Sequence, residues 1–208
     1  MKSESIEVHK SELISNPKPL NKDELLRRLP EINNIEDNEL KEQVIDIFLN
    51  NVPDYFWLEP SSSSGKYHHP ACRGTFGLWI HTKIAFTLFE RISRGALALD
   101  EISEEERDYG RAGILLHDIL KYGEPPAGEH TVGDHDVRGY QYLKDNTDIP
   151  EEVVGCVVSH NGNWGEGRKP KNELEKLHHY ADMGGSDKSI MANIDWPKEL
   201  KSVIENTN

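Results

Sequence analysis

The chain has few cysteines, little positive charge and no long apolar run. Its two cysteines, Cys72 and Cys156, lie too far apart to suggest a zinc knuckle, and two thiols make no disulfide framework. Nowhere do eighteen apolar residues follow one another, and residues 1–10 are charged and lack an apolar segment. These absences predict a cytoplasmic protein that neither spans a membrane nor is exported.

The charge and the length narrow the class of protein further. A net charge of −13 over 208 residues argues against broad attraction to nucleic acid or to an anionic membrane, although a local basic groove stays open. The length fits one domain with a lead-in segment. We predict an N-terminal arm with short helices over residues 1–50, polar and extended over 1–20, followed by one domain over residues 51–208.

Apolar periodicity and capping signals predict an all-α fold. Ser103 with Glu106 forms a capping box, and Gly184-Gly185 is expected to end the last helix. No alternation of strands with crossover helices occurs. The predicted helices cover residues 22–29, 38–49, 76–92, 103–118, 134–144, 150–160 and 172–183.

Ten histidines against five phenylalanines direct attention to metal chemistry. His117 and Asp118 directly follow the apolar run of residues 114–116, where a buried charge is costly unless a cation compensates it. The inward faces of other predicted helices carry His81, His160 and Asp182, and such groups can meet in the core of a helical bundle. Taken alone, a histidine at the position of His81 is more often a satisfied core or boundary residue. The alternatives for the other two are that His160 caps its own helix and that Asp182 is a helix residue with a solvent partner.

The order of these groups resembles the HD-domain superfamily of metal-dependent phosphohydrolases. The similarity extends over residues 60–195 and rests on four segments: 77–82 (GLWIHT), 116–121 (LHDILK), 159–160 (SH) and 179–182 (HYAD). The resemblance implies an HD-domain helical bundle with a metal site in its core. It also implies a first divalent ion held by His81, His117, Asp118 and Asp182.

Family members that hold two metals add histidines between the doublet and the last aspartate. By resemblance, His135 and His160 would hold a second ion, with Asp118 as the bridge, and His130 competes with His135 for this role. Asn161 departs from the pattern, because many two-metal members have histidine there. Imidazole and carboxylate ligands suit Mn, Fe, Ni, Co, Zn or Mg, so the sequence predicts one or two divalent ions without choosing among them.

The remaining candidates concern catalysis and substrate. Asp118 and Lys121 are the predicted catalytic residues, with Lys121 stabilising charge on phosphate; the alternative is an exposed lysine at a helix C-terminus. Residues 60–70 resemble the segment that precedes the first helix of HD nucleases. The predicted substrate contacts are Lys66, His68, His69, Trp164 and Arg168, and the alternative for each is a solvated loop residue or an aromatic at the edge of the core.

We therefore expect a metal-dependent phosphohydrolase that cleaves a phosphoester or phosphoanhydride of a small, nucleotide-like molecule. Single-domain size and acidic composition favour a small substrate over a polymer. One alternative is an HD-type phosphodiesterase or nuclease that acts on single-stranded nucleic acid. The other is a binding or sensing module that keeps the fold without catalysis. The sequence does not indicate the oligomeric state.

Overall fold

The computed structural model describes residues 14–66, 68–187 and 189, and its regular structure in these ranges is entirely helical. The predicted all-α class is confirmed. Two short 3₁₀ helices, Pro30–Asn34 and Pro70–Cys72, accompany the α-helices. The α-helices are α1 (Lys22–Arg28), α2 (Asn38–Asn50), α3 (Tyr55–Leu58), α4 (Gly77–Ala98), α5 (Glu104–Leu116), α6 (His135–Asn146), α7 (Glu151–Ser159) and α8 (Glu173–Ser186).

Side chains at the helix starts explain where the main helices begin. Ser103 and Glu106 form the predicted capping box at the start of α5. Asn172 accepts the N–H of Glu175 at the start of α8, at 2.9 Å. These bonds satisfy N–H groups that have no partner within a helix, which is why short local patterns located both boundaries.

The predicted end of α8 at Gly184-Gly185 is wrong, because the helix continues through both glycines to Ser186. A Cβ atom placed on Gly185 would lie 3.4 Å from Ala85 in α4. Gly185 therefore lies in the helix, where its position packs against α4 at ordinary van der Waals distance, and it does not end the helix. The α5 helix ends at Leu116, two residues before the predicted end, so that His117 and Asp118 lie in the turn that follows.

The long helix α4 lies at the centre of the packing. It packs most extensively on α8 and also on α5, while α5 contacts α7 and α8, and α7 contacts α6. One apolar cluster extends from Leu25 and Phe48 to Leu115 and Leu177. The helices that carry the candidate ligands are thus neighbours in one core. No helix in the described part of the chain is long and apolar enough to cross a membrane.

Described residues of the predicted N-terminal arm pack into this same core. Asp108 in α5 accepts the N–H groups of Glu36 and Asp37, both at 2.8 Å, and forms an ion pair with Arg111 at 2.7 Å. The arm boundary at residue 50 stays a prediction. Residues 1–13 of the arm, within its predicted extended stretch, and residues 190–208 of the predicted domain lie outside the described ranges.

Candidate metal centre

The His117-Asp118 doublet lies where five packed elements meet. Both side chains are about 1% exposed, in the turn after α5. His81 projects from the first turns of α4 and Asp182 from α8, while His135 begins α6 and His160 directly follows α7. Helix packing, and not proximity in the sequence, assembles these groups.

The first ligand set consists of His81, His117 and Asp182. The Nε2 atom of His81 lies 2.9 Å from Oδ1 of Asp182 and 3.4 Å from Nε2 of His117. The Nε2 atom of His117 lies 3.4 Å from the same Asp182 oxygen. Oδ2 of Asp118 approaches this set, at 3.4 Å from Nε2 of His117 and 3.9 Å from Nε2 of His81.

The second set consists of Asp118, His135 and His160. The two Nε2 atoms lie 3.1 Å apart, and Oδ1 of Asp118 lies 3.2 Å from that of His135 and 3.3 Å from that of His160. The two carboxylate oxygens of Asp118 thus face different sets. His130, the alternative to His135 as a predicted ligand of the second ion, is exposed.

Backbone carbonyls fix three of the imidazole rings in the orientation that a metal ligand needs. The Nδ1 atoms of His117, His135 and His160 lie 2.7, 2.9 and 2.6 Å from the carbonyl oxygens of Ile114, Val132 and Val157, three residues earlier in each case. With Nδ1–H as the donor, Nε2 keeps its lone pair for the centre. Ile114 and Val157 lie in the last turns of α5 and α7, where carbonyls lack helical partners and are free to accept such bonds, whereas Val132 lies in the loop before α6.

The donor set fits a divalent ion. Ligand atoms about 2.0–2.2 Å from one ion lie about 2.8–3.6 Å from each other in octahedral or tetrahedral geometry, and the contacts within each set span 2.9–3.4 Å. Oδ2 of Asp118 is buried without a hydrogen bond from the described residues, although Lys121 Nζ lies 2.9 Å away. Two buried carboxylates beside neutral imidazoles require positive charge.

The pKa values of the metal-free centre also show that its carboxylates require positive charge. Burial opposes ionisation of Asp118, but Lys121 and His117 hold its pKa well below the usual range. Burial likewise opposes ionisation of Asp182, and hydrogen bonds from His117 and His81 lower its pKa. Burial alone would lower the pKa of His117, but the carboxylates of Asp118 and Asp182 outweigh it and raise this pKa to about 10.

Lys121 lies inside the centre, with its side chain only 13% exposed. Its ammonium donates to Oδ1 of Asp118 at 3.0 Å and lies 3.0 Å from Nε2 of His135. The side chain of Asn161 reaches the same histidine, with Nδ2 3.0 Å from Nε2.

The predicted substrate contacts fall in different places. The ring of His68 packs edge-on against His81, with centroids 5.3 Å apart, and its Nε2 lies 3.1 Å from the hydroxyl of Ser186. Burial, aided by His81 and Lys121, lowers the pKa of His68 to about 3. His69 instead caps the short helix Pro70–Cys72, where its Nδ1 accepts the N–H of Ala71. Lys66 is exposed.

The other two predicted substrate contacts, Trp164 and Arg168, lie in the loop after α7 and have different surroundings. Trp164 is 84% exposed at the tip of this loop. Arg168 forms two bonds, at 2.5 and 2.7 Å, with the buried carboxylate of Glu175, so the structure gives its guanidinium a structural partner. Glu175 lies seven residues after Arg168, at the start of a capped helix. This short spacing is the sequence signal that could have indicated the ion pair.

Two buried residues near the centre received no role from the sequence. His178 packs against the ring of His117, with centroids 6.0 Å apart, and a Cβ atom at Gly113 would lie 3.2 Å from its ring. Asp136 accepts the N–H of Gly167 at 3.0 Å and thereby holds the loop after α7. The position of His178, one turn before Asp182 on α8, was the available signal.

Comparison with known proteins gives two matches. The HD domain matches residues 78–183, a segment that runs from α4 to α8 and contains all six residues of the two ligand sets. The chain is also 31% identical over 173 residues to the dihydroneopterin 2′,3′-cyclic phosphate phosphodiesterase of Methanocaldococcus jannaschii. That alignment covers 73% of this chain and 65% of the relative, so it spans slightly less than two thirds of the relative's length. No solved structure matches.

Proposed function

The chain belongs to the HD domain family, and from this premise we propose that it is a metal-dependent phosphohydrolase acting on a nucleotide-like small molecule. The observation that carries the proposal is the convergence of two buried His/Asp sets on the single carboxylate of Asp118. Family membership alone would support the fold more strongly than the activity, so the proposal depends on this site.

His81, His117, Asp118 and Asp182 would hold the first divalent ion, one of Mn, Fe, Ni, Co, Zn or Mg, and His135 and His160 offer ligands for a second. When bound, the ion lowers the pKa of water and polarises a phosphoryl oxygen. We propose that Lys121, whose ammonium lies 3.0 Å from Oδ1 of Asp118, stabilises the charge that develops on the phosphoryl group.

Trp164 is our proposed contact for the heterocycle of the substrate. The loop that carries it is fixed at its far end, where Gly167 donates to Asp136 and Arg168 donates its N–H to a carbonyl of α7. An exposed aromatic ring on a fixed loop suits stacking of a flat ring, because little conformational entropy is lost on binding. Lys66 and His68 are proposed to contact the phosphate side, and His69 and Arg168 stay predicted contacts of the same kind.

The substrate class follows from charge and from the relative. A net charge of −13 disfavours a polyanionic polymer. The similar archaeal protein is named for a cyclic phosphodiester of a pterin. We therefore propose that a phosphoester of a small molecule with a heteroaromatic ring is cleaved, and a 2′,3′-cyclic phosphate is the first candidate to test.

The test is a hydrolysis panel with several divalent ions and with chelator. It compares 2′,3′-cyclic nucleotides, nucleoside mono- and triphosphates, and labelled single-stranded oligonucleotides. We expect metal-dependent turnover of small phosphoesters, loss of turnover in Asp118→Ala, and normal turnover in His130→Ala, which changes an exposed loop histidine. Turnover of oligonucleotides alone would favour the nuclease alternative. Metal binding without any turnover would favour the binding module.

A further inference from the structure

The two ligand sets differ in what surrounds their lone pairs. In the first set, Nε2 of His81, Nε2 of His117 and Oδ1 of Asp182 contact one another at 2.9–3.4 Å. In the second set, nitrogen atoms from two other side chains reach the ligand atoms. These are Nζ of Lys121 and Nδ2 of Asn161.

The Lys121 ammonium contacts two of the three residues in the second set. It lies 3.0 Å from Oδ1 and 2.9 Å from Oδ2 of Asp118, and 3.0 Å from Nε2 of His135. Because Nδ1 of His135 is bonded to the carbonyl of Val132, Nε2 is the atom left to bind a metal or to accept a hydrogen bond. The Lys121 ammonium donates a hydrogen bond to that lone pair.

The position of Lys121 is fixed by its backbone. Its N–H donates to the carbonyl of Asp118 at 3.1 Å, and its own carbonyl accepts the N–H of Val132 at 2.9 Å. The same Val132 orients His135 through its carbonyl. The backbones of the lysine and of the histidine that it contacts are therefore held by one turn, and the Lys121 side chain is only 13% exposed.

Asn161 acts on the same ligand. Its Nδ2 lies 3.0 Å from Nε2 of His135, and its amide is a weaker metal ligand than an imidazole would be at that position. Two N–H donors therefore compete with a cation for one lone pair, and the charge of Lys121 repels a second dication beside the first.

From these contacts we infer that the Lys121 ammonium takes the place of a second cation, so that the centre holds one divalent ion, in the set of His81, His117, Asp118 and Asp182. Asp118 then bridges a metal ion and an ammonium group. This inference rests on the metal centre of the proposed function, and it assigns Lys121 a role in deciding how many ions bind.

The test counts metal ions without measuring activity. Chelated, desalted protein is loaded with Mn²⁺, passed through gel filtration and measured by elemental analysis. We expect one Mn²⁺ per chain in the wild type and two in Lys121→Met, which removes the ammonium and keeps the length of the side chain. Lys144→Met is the matched control, because it removes an exposed lysine that pairs with Glu151, and it should keep one ion.

Further variants locate the ions. Adding His135→Ala to Lys121→Met should return the count to one, while His135→Ala alone should leave it at one even if Lys121→Met does not fold. Two ions in the wild type, or a count that falls in His135→Ala alone, would overturn the inference while leaving the proposed function intact. One ion in a folded Lys121→Met variant would also overturn it. No bound ion in the wild type would overturn both.

Discussion

Metal-free protein should lose stability as the pH rises above neutrality, because His117 takes up the charge that a metal would supply. Burial disfavours its protonated form, but Asp118 and Asp182 raise its pKa to about 10. In an unfolded chain a histidine has a pKa of about 6.5. The stabilising contribution is therefore complete below pH 6.5 and is lost progressively between pH 6.5 and 10.

The size of the effect follows from one proton. Between these two values the folded chain binds about one proton more than the unfolded chain, so the free energy of unfolding falls by about 1.4 kcal/mol per pH unit. His117 is 1% exposed, so solvent screening does not reduce this contribution. Burial lowers the pKa of His68 and His178 to about 3, so their contributions to the free energy of unfolding change with pH mostly below pH 7.

Urea unfolding in the presence of chelator, followed by circular dichroism at pH 7.5 and 8.5, measures this slope. His117→Gln should remove most of the slope, and His130→Gln, in an exposed loop, should keep it. Comparing variants cancels the contributions of thiols and of other histidines. If the wild type and His117→Gln show the same pH dependence, the charge balance described for the centre is refuted.

Three further predictions concern the loop after α7. Arg168→Leu should lower the free energy of unfolding by about 2–3 kcal/mol, because it leaves the buried Glu175 carboxylate without its partner. In thermal melts, adding Glu175→Gln to this variant should recover part of the loss, whereas unchanged stability with a raised KM would make Arg168 a substrate contact. Gly167→Ala should lower the free energy of unfolding by about 1–3 kcal/mol, since its Cβ would lie 2.1 Å from the Val158 carbonyl oxygen. Gly133→Ala, with open space around it, should lower it by less than about 0.5 kcal/mol, and equal losses in urea unfolding would contradict the prediction. Trp164→Ala should raise KM for a heteroaromatic substrate by about 5- to 150-fold at unchanged Tm, because the ring is 84% exposed and stacking contributes about 1–3 kcal/mol. An unchanged KM would remove the stacking role.

The helix starts and the burial of the candidate ligands could be predicted from the sequence because they depend on local signals. The capping side chains of Ser103 and Asn172 act within one helical turn. His81 and Asp182 lie on the inward faces of amphipathic helices, so periodicity alone turned them towards the core. These signals do not give distances. The resemblance implied the grouping into two sets, and the packing of α4, α5, α6, α7 and α8 gives the distances within each set.

The remaining features depend on contacts that sequence periodicity does not encode. Whether Lys121 turns into the centre or into solvent depends on the turn after α5, where the regular helix has ended. The end of α8 was misplaced because Gly184-Gly185 matches a helix-ending pattern, while in the structure Gly185 lies in the helix and packs against Ala85 of α4. The ion pair of Arg168 with Glu175 was not predicted from the sequence, because Glu175 is buried only by folding; the role of Arg168 as a substrate contact stays a prediction.

The central claim is that His81, His117, Asp118 and Asp182 hold a divalent ion. Anomalous diffraction from crystals grown with Mn²⁺, recorded on both sides of the manganese absorption edge, tests it most directly. We expect an anomalous peak within bonding distance of Nε2 of His81 and His117 and of the carboxylates of Asp118 and Asp182. A manganese-saturated crystal without a peak at these four side chains would contradict the account.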